Sequence, residues 1–371
     1  MSAFLLVLLA VALGQSSTDH PASTSAAAFD RIAQQAEEAR QANQADNAVA
    51  LYRRALRLKP GWKEGWWYLG TLGYEQNHYA DCRDAFRRVT VLEPKGAPAW
   101  SMLGLCEFET KQYDLALAHL NQGQQLGMGA APEIDEIAKY HLALLLARDE
   151  NYEKSLELFL ELARRGKGDQ TMIAAAGIAA LRKPLLPQEL PQEDHEIAYL
   201  AGKGIWDLGA RRPAQAQKDF ELLLSKYPDV PNVHYLFGSF LLQEQPDKAI
   251  PELEREIAIS PAHVPARVQI ASEYLRRGEP VNALPYAREA ATLAPDSVVT
   301  HTILGRLLVE TEELDAGVRE LELARKLAPE STQPRIALAS AYAKMGRAED
   351  AARERREFLR LKQLYKRPGE Q

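Results

Sequence analysis

Between Lys63 and Gly96 the apolar residues fall into two stripes, each with the three-and-four spacing of one helix face. Trp66, Leu69 and Gly70 form the first stripe. Cys82, Phe86 and Val89 form the second, with the polar pair Asn77-His78 between them. The pattern predicts two helices joined by a tight turn. Pro94 ends the second helix, since proline has no amide hydrogen to donate and its ring collides with the preceding turn. The next stretch repeats the arrangement with Trp100, Leu103 and Gly104, then Ala116, Leu120 and Gly123.

Prolines mark the period. The intervals from Pro60 to Pro94, Pro261 to Pro295 and Pro295 to Pro329 are each 34 residues, and Pro228 to Pro261 is 33. A fixed period of this length signals a repeated helical hairpin. Close crossing of two helices needs a small residue on one beside a larger one on the other. Gly70 against Cys82 and Gly104 against Ala116 are the expected contact pairs. Two copies are out of step. One has lost a turn residue around Gln245-Pro246-Asp247. In the other, the long turn GARRPAQ leaves Ala198, Ala201, Gly202 and Ile205 two residues out of frame with Ala216, Phe220 and Leu223.

The recurring W-x-x-L-G and A-x-x-x-F-x-x-A-x-x-x-x-P patterns resemble the tetratricopeptide repeat family. Other copies carry His301 to Gly305 with Gly317, Leu321, Ala324 and Pro329, and Ala283, Ala287, Ala290 and Pro295. A further copy, recognisable by Tyr152, Ser155, Phe159 and Leu162, starts late after an insertion around GMGAAPE. The resemblance covers residues 29 to 365 or so and implies an all-α fold, an α-solenoid of stacked helical hairpins in a superhelix. It also implies that the first helices line a concave side.

One segment breaks the period: LRKPLLPQELPQEDHE, residues 181 to 196. Ile173, Ala176, Gly177 and Ala180 read as a first helix, but Pro184, Pro187 and Pro191 forbid a continuous second one. Its hairpin partner is therefore expected to be missing. Leu185, Leu186 and Leu190 are expected to fold back over the exposed helix. The chain then divides into an N-terminal block at 29–182, a proline-rich seam at 183–190 and a C-terminal block at 191–366. The last helix, with Phe358, Leu361 and Tyr365 on one stripe, caps the array.

Composition narrows the function. A formal charge of -6 and a pI near 5.9 argue against nucleic acid as a partner, because phosphate binding needs a concentrated basic surface. The apolar run from Phe4 to Gly14 is too short to span a bilayer and reads as a signal peptide over residues 1–14, followed by a flexible linker over 15–28. The expectation is a bacterial protein exported to the periplasm or secreted, with no membrane span in the mature chain. Cys82 and Cys106 occupy apolar helix positions and read as buried small residues. A bridge would require their Cα atoms to lie within about 7 Å.

No catalytic or phosphate-binding motif is found, and no cofactor or metal is expected. Glu193-Asp194-His195-Glu196 is explained by the preference of acids for a helix N-terminus. His234 and His301 read as helix-packing residues. Function then rests on surfaces. The resemblance places concave-side positions one and eight residues beyond the first-helix tryptophan site: Trp67 and Tyr74, Ser101 and Phe108, Tyr140, Tyr199 and Trp206, and Tyr235. Large amphipathic rings are favoured interface anchors, so these aromatics are the expected peptide-binding groove. Some family members grip acidic chaperone tails with Lys and Asn in the groove. Trp67, Ser101, Tyr140, Thr71, Leu105 and Leu144 stand at those positions here, so that activity is not implied. The expected function is a non-catalytic scaffold that binds an extended peptide or partner helix. An accessory subunit of an envelope glycan- or peptidoglycan-processing enzyme, or a self-assembling oligomer module, are the alternatives.

Overall fold

The computed structural model describes residues 21–127, 132–166 and 168–364, with side chains from residue 25 onward. Residues 1–14, where a signal peptide is expected, the centre of the GMGAAPE insertion and Tyr365 lie outside the described residues. Within the described residues the chain is all helical, with nineteen α-helices and no strand. It comprises two compact units, one up to Leu142 and the other from Ala143. The proline-rich seam lies inside the second.

The first unit contains α1 (Pro21–Gln41) and α2 (Ala45–Leu58), α3 (Lys63–Glu75) and α4 (Tyr79–Leu92), and α5 (Ala97–Glu109) and α6 (Tyr113–Leu126). Helix α7 (Pro132–Arg148) runs on into the second unit and precedes α8 (Tyr152–Arg165). There follow α9 (Gln170–Ala180), α10 (His195–Gly209) and α11 (Pro213–Lys226). Hairpins α12 (Val233–Glu244) with α13 (Pro246–Ile259) and α14 (Val264–Arg276) with α15 (Pro280–Leu293) come next. The last are α16 (Val298–Glu310) with α17 (Leu314–Leu327) and α18 (Thr332–Lys344) with α19 (Ala348–Leu364).

Helix α1 begins inside the segment expected to be a flexible linker. The run Ser25-Ala26-Ala27-Ala28 favours helix, and Phe29 sets its ring edge-on to Trp62 with centroids 5.2 Å apart. Ile32, Ala36 and Ala39 bury the same face.

The repeat is written in the turns as well as in the prolines. Asn43, Asn77 and Lys111 all have a left-handed backbone at 34-residue intervals, as do Gly278, Glu312 and Gly346. A single left-handed residue reverses the chain tightly enough for the second helix to fold against the first. The turn between α12 and α13 has no such residue, as its shortened sequence predicts: only Gln245 separates the two helices.

Within each hairpin a small first-helix residue meets a large second-helix one. A Cβ at Gly70 would lie 2.7 Å from the Phe86 ring, and at Gly104 2.7 Å from Leu120. Gly305 faces Leu321 and Gly238 faces Leu253 in the same way. The expected pairing of Gly70 with Cys82 is thus corrected. Phe86 fills the gap over Gly70, and Gly73 is the residue beside the Cys82 backbone. The same rule resets the frame of α10, where Gly204 faces Phe220. That leaves Gly202 free for a different contact.

Gly202 packs on α9. The two helices run antiparallel and so close that a Cβ on Gly177 would sit 1.7 Å from the Ala198 carbonyl oxygen. Reciprocally, a Cβ on Gly202 would sit 1.7 Å from the Ile173 oxygen. Helix α9 therefore has a partner, contrary to expectation, and the partner is α10. The prolines between them rule out an immediate second helix but allow a strap. Leu186 is fully buried, and Leu190 and Leu185 pack with Ile178 and Ala198. Polar contacts hold the strap in place: Glu189 accepts from Leu186 N at 2.8 Å and from Arg148 at 2.6 Å, and Lys183 pairs with Asp194 at 2.6 Å.

Successive hairpins are latched to the proline that ends the one before. Trp66 Nε1 donates to the Pro60 carbonyl and Trp100 Nε1 to the Pro94 carbonyl, each at 2.8 Å. His234 and His301 do so through Nε2 to Pro228 and Pro295 at 2.9 and 2.7 Å, and Arg335 to Pro329 at 2.6 Å. In these last three a second-helix glutamate backs the latch: Glu252, Glu320 and Glu354. His234 and His301 are accordingly helix-packing residues, as the sequence indicates. At the C-terminal end Leu361 is buried and Glu354 lies between Arg325 of α17 and Arg335 of α18, so α19 completes the last hairpin and ties it to the one before.

Candidate functional site: an aromatic surface on the first unit

Cys82 on α4 and Cys106 on α5 form a disulfide, with Cα atoms 5.9 Å apart. Both are fully buried, as expected of small apolar-face residues, but they are not free thiols. The bridge fixes the second hairpin of this unit, which carries Trp67 and Tyr74, to the third, which carries Phe108.

Each aromatic lies at a fixed offset from its helix's small residue. Trp67 and Tyr74 stand three before and four after Gly70, and Phe108 four after Gly104. Trp67 is half-buried, its ring edge-on to Phe86 at 5.2 Å. Tyr74 is paired with Tyr79 at 5.6 Å, and one repeat on, Phe108 is paired with Tyr113 at 5.5 Å. Phe108 also meets His141 at 4.6 Å, and His141 in turn meets Tyr140 at 5.3 Å. The structure therefore brings Phe108 and Tyr140 together through a histidine that sequence reasoning missed. His141 Nδ1 lies 2.8 Å from the Ile137 carbonyl, and burial pushes its pKa below the ordinary histidine value.

Glu109, at the end of α5, was also missed. It is an exposed acid in a polar turn, and hydrophobic periodicity says nothing about such a residue. Partial burial raises its carboxyl pKa, and its charge acts on both Tyr74 and Tyr79. Burial first, and Glu109 second, raise the pKa of both phenols. Among the described residues nothing hydrogen-bonds or pairs with Glu109.

The remaining expected residues belong to the second unit and take other roles. With Gly204 as the frame residue of α10, the positions equivalent to Trp67 and Tyr74 are Ala201 and Leu208. Tyr199 and Trp206 were assigned two residues out of register. Trp206 is 5% exposed and its ring fills the space beside Gly168, so it is a packing residue. Tyr199 borders a cavity of about 260 Å³ against the strap, with Ile178, Leu190 and His195. Tyr235 is in frame, but its ring lies tilted against His263 at 4.7 Å and its hydroxyl accepts from Gln269 at 3.3 Å, holding two hairpins together. The side chains of Glu193-Asp194-His195-Glu196 go separate ways, Asp194 to Lys183 and Glu196 to Lys226 and Tyr227.

The hairpins, the 34-residue turn period and the glycine-to-large-residue contacts decide the architecture, and a tetratricopeptide repeat family model matches residues 33–88 and 74–131. The chain carries tetratricopeptide repeats. No curated protein matches it. Among solved structures it is similar to MamA of Desulfovibrio magneticus RS-1, from position 41 to the end, at 17% identity and a TM-score of 0.43. That similarity covers 46% of this chain and 97% of the other. MamA AMB-1 is similar at 23% identity and a TM-score of 0.40, over 44% of this chain and 98% of that one. Neither similarity bears on what this chain does. The repeat family itself supports a protein-protein interaction scaffold with protein partners. No described helix is long and apolar enough to cross a membrane.

Proposed function

We propose that the chain is an exported, non-catalytic scaffold whose first unit captures an extended peptide or partner helix on the aromatic surface of α3, α5 and α7. The observation that carries this reading is the in-frame set Trp67, Tyr74, Phe108 and Tyr140, half-buried rings standing on successive first helices. Half-buried aromatics supply contact area at little entropic cost, since their rotamers are already fixed by neighbours. The Cys82–Cys106 disulfide supports an oxidising compartment and so favours export.

The test is a crosslinking pull-down from the exported fraction, followed by affinity measurement with the purified partner. Trp67→Ala and Phe108→Ala are each expected to weaken binding by about 2 kcal/mol, roughly thirtyfold, as for a central interface anchor. Full affinity in both variants overturns the groove reading.

A further inference from the structure

Among the described residues three arginines share one arrangement: the guanidinium lies on a tyrosine ring while a nearby carboxylate holds it there. Arg40 stands 4.3 Å over Tyr68 and pairs with Glu37. Arg347 stands 4.3 Å over Tyr342 and pairs with Asp350. Arg182 stands 4.6 Å over Tyr152 and pairs with Glu153 at 2.8 Å. The last case is instructive because Tyr152 is the first residue of α8, right after the hairpin turn. Tyr79, the first residue of α4, occupies the same place in its own hairpin.

At Tyr79 the ring and the acid are present but the cation is not. Tyr79 and Tyr74 set their rings 70° apart, making two walls of a corner, and Tyr79 is fixed by its hydroxyl donating to Asn77 at 2.6 Å. Glu109 supplies the negative charge beside both phenols. No described cation stands over either ring, and Glu109 has no described partner. We propose that Tyr74, Tyr79 and Glu109 form a subsite for a cationic side chain, an arginine or lysine of the bound peptide. The aromatic faces attract the cation through their quadrupoles, and the carboxylate accepts its N–H groups.

The subsite rests on the groove reading above, and its test is independent of any identified partner. N-acetyl-arginine amide is titrated into the full chain, with N-acetyl-citrulline amide as the uncharged isostere. Nuclear magnetic resonance follows Tyr74, Tyr79 and the Glu109 carboxyl. The arginine probe is expected to give saturable shifts at all three, and the citrulline probe none. Glu109→Gln, an exposed substitution that leaves the fold intact, is expected to weaken the arginine probe at least fivefold, and Tyr79→Leu likewise. Affinity is expected to rise with pH through the titration of Glu109, because only the ionised carboxylate attracts the probe. Equal shifts with citrulline, or an unchanged constant in Glu109→Gln, would overturn the subsite. Neither result touches the groove reading, which fails only if Trp67→Ala and Phe108→Ala leave the peptide bound.

Discussion

Replacing Gly177 with alanine tests the backbone-to-backbone packing of α9 on α10. An added Cβ would lie 1.7 Å from the Ala198 oxygen, where ordinary contact begins at 3.4 Å. The obstacle is backbone, so no side chain can swing away, and α9 must separate from α10 by an amount on the order of 1.5 Å. A gap of 0.5–1 Å already forfeits about a quarter to a half of the dispersion well between facing atoms. The larger gap therefore removes most of the attraction among Ala176, Ala180, Ala198 and Ala201, all at most 1% exposed. Alanine gains about 1 kcal/mol in helix propensity over glycine, while overpacking and lost contact cost roughly 4–5 kcal/mol, leaving about 3.5 kcal/mol of destabilisation. At an m-value of about 2 kcal/mol/M in urea this moves the midpoint of the second unit down by about 2 M. Repeat arrays unfold in parts, so hydrogen exchange of the α9 and α10 amides should accompany the urea curve. Those amides should lose protection. Gly61→Ala, whose Cβ would meet nothing within 4 Å, should change neither reading. If Gly177→Ala moves the midpoint by less than about 0.3 M, the backbone contact is not what holds these helices.

Reduction of Cys82–Cys106 opens a loop with a sequence separation of 24 and should cost the first unit about 3 kcal/mol, leaving the second unchanged. Thiol titration after unfolding, with and without reductant, checks the bridge itself, and two free thiols without reductant would refute it. His263 caps α14 by accepting from Ala266 N at 3.0 Å through Nδ1, while Nε2 donates to Asn232 at 3.0 Å. Burial first, with the nearby Arg182 and Arg267 charges adding to it against Glu256, lowers its pKa from the ordinary 6.5. On acidification the unfolded chain takes up that proton first. Stability is thus full above pH 6.5 and falls below it until the folded histidine titrates. His263→Asn keeps a capping acceptor and should flatten that part of the stability–pH curve. An identical slope in wild type and variant would refute this account.

The hairpins were legible because each carries a small residue and a large one at fixed spacing, a contrast that survives in Gly70 with Phe86 and in Gly305 with Leu321. The identity of the facing residue was less so, since Cys82 and Phe86 sit one turn apart on the same stripe. The α9–α10 pair was hidden for a related reason. Alanine and glycine faces mark a first helix equally whether a second helix or another first helix covers them. That ambiguity put Gly202 where Gly204 belongs and carried Tyr199 and Trp206 out of register. A bridged and a buried cysteine leave the same sequence pattern, so only the 5.9 Å Cα separation distinguishes them. Glu109 and His141 were overlooked because neither lies on an apolar stripe. A usable signal was present nonetheless: Tyr74 and Phe108, and Tyr79 and Tyr113, recur at the repeat period around them.

The proline-carbonyl latches have a mechanical consequence. Within each unit a hairpin is tied to its predecessor by one side-chain bond to a helix-end carbonyl, together with the packing around it. A chain pulled from its ends would yield hairpin by hairpin rather than all at once. The steps would be unequal, because an indole alone holds Pro60, the Cys82–Cys106 disulfide reinforces the indole at Pro94, and a glutamate backs the groups that hold Pro228, Pro295 and Pro329. Charge-assisted bonds are stronger than neutral ones. The Pro60 joint, held by an indole without a covalent bridge, is therefore the compliant one, and it lies at the hairpin that carries Trp67 and Tyr74, where a small elastic flexing can accommodate a bound peptide.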